Sequence, residues 1–414
     1  MNKPLTAQTY LVGGAVRDEL LNRPIKDRDW VVVGATPEQL LAQGFRAVGR
    51  DFPVFLHPQS HEEYALARTE RKQGHGYHGF DVQFHPQVSL EEDLLRRDLT
   101  INAMAKDSSG KIIDPYGGLN DLKQRYLRHV SPAFAEDPLR VLRVARFAAR
   151  YHHLGFRIAP ETLELMKSIS DSGELLHLAM ERVWQETHKA LCESHPSVFF
   201  TSLKDCHALA VLFPELDALA GVPQVAEHHP EIDTWLHTLL VLDYSATEKA
   251  EAIVRFACLV HDLGKALTPE DEWPRHIAHE ERGVEPVEQL CQRLKCPGDY
   301  RDIARLVCRY HLRIHRALEL RPGSLLKIFE QCDALRKPQR FIQILQACRC
   351  DARGRKGRHD AAYPQYEYLS QALKQLEQVD IKTVLLSGKK GAEIGQAIRH
   401  QRLSLLTQFV QQQR

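Results

Sequence analysis

The sequence predicts a small α/β head over residues 1–118, followed by an almost entirely α-helical remainder. Two observations carry this. Up to Gly117-Gly118, short apolar runs alternate with glycine-bearing turns. Past Asp114-Pro115-Tyr116-Gly117-Gly118 the pattern turns helical and stays so. A chain of 414 residues can hold about two to four domains. Its 43% hydrophobic and 26% charged content fits a soluble globular protein. No apolar run approaches the ~20 residues of a bilayer span and the N-terminus lacks a signal-peptide core, so no membrane association is expected. With a net charge of +1, any nucleic-acid binding must come from local basic surface. The nine cysteines fall between Cys192 and Cys350 without a C-x-x-C, which fits reduced thiols in a cytoplasmic protein.

In the head, strands are expected over residues 10–12, 30–33 and 63–67, with helices near 15–21 and 37–42. Tyr10-Leu11-Val12 runs into Gly13-Gly14 and then Ala15-Val16-Arg17-Asp18, which reads as strand, glycine turn, helix. Backbone N–H groups bared at such a turn, Gly14 among them, can hold a triphosphate, and Arg17 adds positive charge. Lys26-Asp27-Arg28-Asp29-Trp30 then heads the apolar run Val31-Val32-Val33. A strand sends residues i and i+2 to one face, so Asp27 and Asp29 would stand roughly 6–7 Å apart, side by side. Two divalent ions about 3.5–4 Å apart, as phosphoryl-transfer enzymes use, need paired hard oxygen ligands of this kind. Alone, D-x-D fits a solvated strand end and Gly-Gly is equally unspecific. The ordered pair is far more specific.

G-G-A-V-R-D followed by K-D-R-D-W resembles the head of the polymerase-beta-like nucleotidyltransferases, in particular the bacterial class II CCA-adding tRNA nucleotidyltransferases. The segment 49–58, G-R-D-F-P-V-F-L-H-P, is similar to the CCA-adding branch. Residues 68–79 are polar, basic and glycine-rich and read as a mobile loop near the phosphate site, with His75 and His78 as loop polar groups. R-R-D-L-T-I-N-A at residues 96–103 opens a predicted helix and matches a signature of the same family. The resemblance implies that Arg97 and Asp98 contact the phosphates and ribose of the nucleotide.

Glu136-Asp137-Pro138-Leu139-Arg140 starts the next helix, with Pro138 in its first turn and acids where the dipole favours them. Arg140, Arg143, Arg146 and Arg150 recur at helical spacing and share one face, with Val141, Leu142, Ala145 and Phe147 on the core side. No acid occurs from Pro138 to Arg157, so the stripe is unbalanced along its own helix and reads as anion-binding. E-D-x-x-R also resembles the base-reading motif of the class II enzymes. Asp137 can accept a hydrogen bond and Arg140 can only donate. Cytosine and adenine offer an amino donor beside a ring-nitrogen acceptor, whereas uracil and guanine offer the opposite polarity. The fork would therefore take C and A, and would leave unpaired buried groups against U and G. Arg143 and Arg146 would hold triphosphate or brace the fork.

Residues 151–225 read as helical, with Phe199-Phe200 and Val211-Leu212-Phe213 as core, and residues 218–233 as a linker containing His228-His229. By the resemblance this neck and body, residues 119–225, grips the acceptor stem of tRNA through backbone charge. A second site follows. His237 heads an apolar helix, His261-Asp262-Leu263-Gly264-Lys265 follows, then His276, His279 ahead of Gly283, His311, His315 and Asp351. This order resembles the HD metal-dependent phosphohydrolases over residues 226–351. The resemblance implies His237, His261 and Asp262 as ligands, joined by His279, His311 and Asp351, around an ion that activates water. Residues 352–414 read as a polar helical tail. In it Ser387-Gly388-Lys389-Lys390-Gly391 lacks phosphate-loop spacing and reads as a helix start.

The implied protein is an enzyme that adds CCA to tRNA from CTP and ATP. Its nucleotide contacts would be Gly14, Arg17, Arg97, Asp98, Asp137, Arg140, Arg143 and Arg146, and Asp27 and Asp29 would hold Mg²⁺. The HD site would hold a divalent transition metal such as Ni²⁺, or Mg²⁺, and act as a phosphatase, 2′,3′-cyclic phosphodiesterase or 2′-nucleotidase. The chain would be a monomer or homodimer. The alternatives are a class II poly(A) polymerase, or an HD phosphohydrolase with an RNA-binding head.

Overall fold

Strand β1 (Gln8–Val12) ends at Gly13, whose φ of +68° is a left-handed conformation natural to glycine, and helix α1 (Gly14–Leu20) starts at the next residue. The computed structural model describes residues 7–48, 54–72 and 80–413. The head continues through β2 (Asp29–Val33), α2 (Pro37–Ala42), β3 (Arg46–Val48), β4 (Val54–Leu56), β5 (Glu63–Leu66), β6 (Arg68–Lys72), β7 (Phe80–Phe84), α3 (Leu90–Leu95), β8 (Ala105–Lys106), β9 (Ile112–Ile113) and α4 (Gly118–Gln124). Seven strands form one sheet in the order β3-β4-β5-β2-β1-β8-β9, antiparallel except where β2 lies parallel to β5. Alternation along β2 splits the core. Val31 packs with Val12, Leu90, Leu94 and Ala105 on one side, and Val32 with Leu40, Phe55 and Leu66 on the other. Register places Val12 beside Asp29, and Asp29 beside Glu63.

Three expectations change here. R-R-D-L-T-I-N-A, expected to open a helix, instead follows the end of α3 at Leu95, and within it only Thr100–Asn102 make a short 3-10 turn. The strand begins at Asp29, so Asp27 lies ahead of it and the strand's i, i+2 geometry does not set the separation of the two acids. Residues 68–72 are strand, paired antiparallel with β7 from Arg68↔Phe84 to Lys72↔Phe80, where a loop was expected. His75, His78 and residues 49–53 lie outside the described residues.

The chain forms two units, residues 1–190 with 198–212, and residues 191–197 with 213–414. The first unit also holds β10 (Tyr126–Leu127), α5 (Leu139–Tyr151) and β11 (Arg157–Ile158). Then come α6 (Pro160–Asp171), α7 (Met180–Leu191), α8 (Ser197–Asp205) and α9 (Ala208–Leu212). As the apolar spacing predicts, α5 buries Val141, Leu142, Ala145 and Phe147, and with them Val144 and Ala148. The second unit is helical: α10 (Pro214–Asp217), α11 (Thr234–Thr247), α12 (Ala252–Val260), α13 (His279–Arg282), α14 (Val284–Arg293), α15 (Gly298–His315), α16 (Pro322–Gln331), α17 (Pro338–Gly354), α18 (Gln365–Leu376), α19 (Ile381–Leu386) and α20 (Ala392–Gln412). One core joins Val254, Ile303, Val307, Phe329, Phe341 and Leu345 to Leu369, Leu406 and Phe409, so α18 and α20 are built into this unit where the sequence suggested a polar tail. Residues 218–233 fold back on the start of α11. There Asp233 caps the helix through Leu236 N (2.9 Å) and also accepts from Gly221 N (2.7 Å). Among the described residues no helix is long and apolar enough to cross a membrane.

Candidate nucleotidyltransferase and metal sites

A cavity of about 530 Å³ opens at the β1–α1 turn. Gly14, Arg17, Asp29, Arg97, Asp98, Asp137, Arg140, Arg143 and Arg146 all line it, as do Gly13, Asn102, Phe147 and four further arginines, Arg68, Arg96, Arg150 and Arg182. Asp27 is exposed and is not part of the wall. It is still close enough to act on Asp29. Packing around the Asp29 carboxyl pushes its pKa up, the Arg97 cation pulls against this, and the negative charge of Asp27 adds to the rise. Asp29, with Asp27 near enough to act on it and Glu63 next in register, suits a bound divalent cation. Glu63 escaped the sequence analysis because only strand pairing brings it to Asp29. The cavity also explains the bare turn. A Cβ on Gly13 would stand 2.7 Å from Arg97 Nη1, so glycine leaves the guanidinium its place.

The arginines are held by protein partners. Arg17 is buried, donates from Nε and Nη2 to Asp18 (3.0 and 3.1 Å) and from Nη1 to Asn102. Asp98 accepts from Arg143 Nε (2.8 Å), Asn102 Nδ2 (2.9 Å) and Leu99 N (2.9 Å). Burial works against the charge on Asp98, but Arg143, the bond from Asn102 and nearby Arg140 outweigh it and hold the carboxyl far below the usual carboxylate range. The stripe on α5, unbalanced along its own helix, is thus partnered from elsewhere. Arg143 meets Asp98, Arg146 Nε meets Glu186 Oε2 (2.5 Å), and Arg150 Nη2 lies 3.8 Å from Asp18. Both members of the expected fork reach the cavity, yet Arg140 donates Nη1 to Ala133 O (2.9 Å) and Nη2 to Arg96 O (2.6 Å). Asp137 accepts from Leu139 N (3.1 Å) and faces Arg182 Nη2 at 3.5 Å. Arg182 was missed by the sequence analysis. Its signal was the i, i+4 pair with Glu186, which puts a partner for Asp137 and one for Arg146 on a single face of α7.

In the second unit, six buried side chains from five helical segments converge: His237 on α11, His261 and Asp262 at the end of α12, His279 on α13, His311 on α15 and Asp351 on α17. They fall into two sets whose ligand atoms lie within 4.8 Å of one another, His237–His261–Asp351 and Asp262–His279–His311. Asp262 joins the sets. Its Oδ2 lies 3.2 Å from His261 Nε2, and its Oδ1 lies 3.4 and 3.6 Å from Nε2 of His279 and His311. Asp351 Oδ1 lies 3.2 Å from His237 Nε2. His261, His279 and His311 turn Nδ1 to a backbone carbonyl, at Cys258 (2.7 Å), His276 (2.9 Å) and Cys308 (2.8 Å). A ring nitrogen facing a carbonyl must donate, so Nε2 carries the lone pair of the neutral ring. Nε2 of His237 and of His261 and Oδ1 of Asp262 are buried without a hydrogen-bond partner. These orphaned acceptors, aimed at one another, fit a cation.

The electrostatics agree. Burial opposes charge on Asp262, but His261 and Lys265 hold its carboxyl well below the usual range. Burial would lower His261, yet Asp262 and Asp351 raise it, so positive charge is welcome at its Nε2. Burial drives His311 well below the ordinary histidine value and keeps it neutral, as a ligand must be. His315 is a brace, with Nε2 on Asp351 Oδ2 (2.6 Å) and Nδ1 on the Tyr363 hydroxyl (2.9 Å). His276 is structural, bonded at both nitrogens to Thr268 Oγ1 and Pro223 O (each 2.6 Å). A cavity of about 300 Å³ opens on this cluster, lined also by Lys265, Arg275 and Arg355.

Three family models match the chain: the Poly A polymerase head domain over residues 9–128, the probable RNA and SrmB-binding site of polymerase A over 155–219, and the HD domain over 226–350. Among curated relatives, the Multifunctional CCA protein of Pseudomonas fluorescens (strain Pf0-1) is 59% identical over 399 residues, covering 96% of this chain and 98% of its own. That of Acinetobacter baumannii (strain AYE) is 57% identical over 405 residues, covering 98% of each. Among solved structures, the Bacillus stearothermophilus CCA-adding enzyme in complex with CTP superposes with a TM-score of 0.64 at 24% identity, covering 97% of this chain and 89% of that one. The Thermotoga maritima CCA-adding enzyme complexed with tRNA gives a TM-score of 0.61 at 20% identity, covering 99% and 92%. At these identities the structures speak for the fold, and the full-length relatives speak for descent: the chain belongs to the multifunctional CCA protein family.

Proposed function

We propose that this enzyme adds the 3′-terminal CCA to tRNA, using CTP twice and then ATP, and carries an accessory HD-domain phosphohydrolase. The observation behind the first activity is one cavity wall that holds the glycine turn, Asp29, the arginine stripe and Asp137 together. Gly14, Arg17 and Arg97 steady the triphosphate, with Arg143 and Arg146 beside them, and Asp98 keeps Arg143 aimed into the cavity. Asp137 and Arg140 select C or A by the polarity of the base edge. Asp27 and Asp29, with Glu63 alongside, hold magnesium, which when bound lowers the pKa of the tRNA 3′-hydroxyl and offsets charge at the α-phosphate as pyrophosphate leaves. In the second unit His237, His261, Asp262, His279, His311 and Asp351 hold a divalent ion that supplies the Lewis acidity to activate water. Lys265 and Arg355 at the cavity supply positive charge for a phosphate ester such as a 2′,3′-cyclic phosphate or 2′-nucleotide. The enzyme works in the cytoplasm as a monomer or homodimer.

The test is extension of a tRNA ending before CCA, with Mg²⁺ and with CTP, ATP or both. Two C residues are expected with CTP alone, and C-C-A with both. Addition of A residues only would make the protein a poly(A) polymerase. No extension would leave the HD cluster as the working site.

A further inference from the structure

We propose that Glu231 is a positioning residue of the HD cluster, fixing the tautomer and ring orientation of His237 from a loop that the sequence suggested was only a linker. This rests on the HD reading given above. His261, His279 and His311 each turn Nδ1 to the carbonyl three residues back, so each helical segment orients its own imidazole. At His237 the equivalent carbonyl is Thr234 O, which accepts from the Thr238 hydroxyl (2.9 Å). The outer partner of His237 comes instead from outside the helix: Nδ1 lies 2.8 Å from Glu231 Oε1, and both side chains are almost fully buried. A carboxylate can only accept here, so Nδ1 carries the proton and Nε2, 3.2 Å from Asp351 Oδ1, is left as the ligand nitrogen for an ion that the two would share. A carboxylate also makes the imidazole a stronger ligand than a carbonyl does.

Glu231 is held on its other side too. Lys356 N donates to Oε2 (3.3 Å), and the neighbouring Arg355 donates Nη2 to Asp351 Oδ1 (3.2 Å) and Nη1 to His228 O (3.3 Å). One short stretch after α17 therefore supports both Glu231 and Asp351, the partners on either side of His237. His229 packs edge-on against the His237 ring at 4.6 Å and closes the remaining side.

The test uses the full chain, wild type against Glu231→Ala and Glu231→Gln, with Ni²⁺ titrated calorimetrically and His237 followed by ¹⁵N NMR in the metal-free protein. Glu231→Ala should weaken Ni²⁺ binding about 10–100-fold and release His237 into a mixture of tautomers. Glu231→Gln keeps an acceptor but not the charge, so it should hold the tautomer and lose affinity less. CCA addition should be unchanged in both. Ni²⁺ affinity within about twofold of wild type in Glu231→Ala, or an unaltered His237 tautomer, would overturn the proposal. A wild type that takes up no ion would instead overturn the HD reading, and the tautomer signal would still decide the role of Glu231.

Discussion

Asp98 is a carboxylate whose environment does more than its exposure would suggest. Its carboxyl is buried, which disfavours charge, yet Arg143 and the bond from Asn102 hold its pKa far below the usual range. The folded value lies below the unfolded value of about 3.9, so the ionised group stabilises the fold fully above about pH 4. That contribution fades as the pH falls further, toward the folded pKa, and gives no slope near neutrality. Asp98→Asn should therefore cost about 1–3 kcal/mol at pH 7, since Arg143 loses a charged partner. The deficit relative to wild type should shrink at pH 3. Urea midpoints at pH 7, 4 and 3 measure this directly. A deficit that is equal at all three would mean that shape rather than charge matters at residue 98. In the same experiment nucleotide affinity should fall, because Arg143 is no longer held toward the cavity.

At the level of elements, the close approach behind the second site is a glycine contact. A Cβ at Gly264 would lie 2.0 Å from His279 O and 2.6 Å from Gly283 N, and backbone atoms cannot swing away as a side chain can. Gly264→Ala should push α13 outward and carry His279 from Asp262, at an overpacking cost of about 1–3 kcal/mol or more. Calorimetry should show a lower unfolding temperature and weaker Ni²⁺ uptake while CCA addition survives; unchanged uptake would show that the segments can slide. Gly264 belongs to H-D-L-G-K, and the contiguous signals of this kind were legible in the sequence: the Gly13 turn, the strand at Asp29, R-R-D-L-T-I-N-A, the α5 stripe and the histidines of the second site. What escaped was set by long-range pairing. The acids facing the stripe come from residues 18, 98 and 186. Glu63 meets Asp29 only through the β2–β5 register. Glu231 lies in a segment whose glycine and prolines read as a spacer, because the Asp233 cap that folds it onto α11 depends on tertiary contacts. Polar residues on α18 and α20 likewise masked the apolar faces that join the core of the second unit.

Across the whole molecule, the two units offer cations different chemistry. The first presents carboxylates only: Asp29 with Asp27 near and Glu63 in register. Hard oxygen donors with room for water suit Mg²⁺, whose partners at such sites are one or two carboxylates and substrate phosphates. The second presents four imidazoles and two carboxylates, a donor set that favours transition metals by the general order of divalent affinities. Its ligands are also buried and oriented by their outer hydrogen bonds, whereas Asp27 and Asp29 are exposed. Chelation should therefore separate the activities. Brief EDTA treatment followed by gel filtration should remove Mg²⁺ at once, whereas the buried cluster should release its ion slowly. Refilling with Mg²⁺ alone should restore CCA addition in full. After exhaustive chelation, hydrolysis of a 2′,3′-cyclic nucleotide should return better with Ni²⁺ or Mn²⁺ than with Mg²⁺. Asp29→Ala should abolish only the first recovery and Asp262→Ala only the second. Recovery of both activities with one metal at one concentration would mean that donor type does not set the preference. Loss of both in either variant would mean that the two units share a single ion-dependent step.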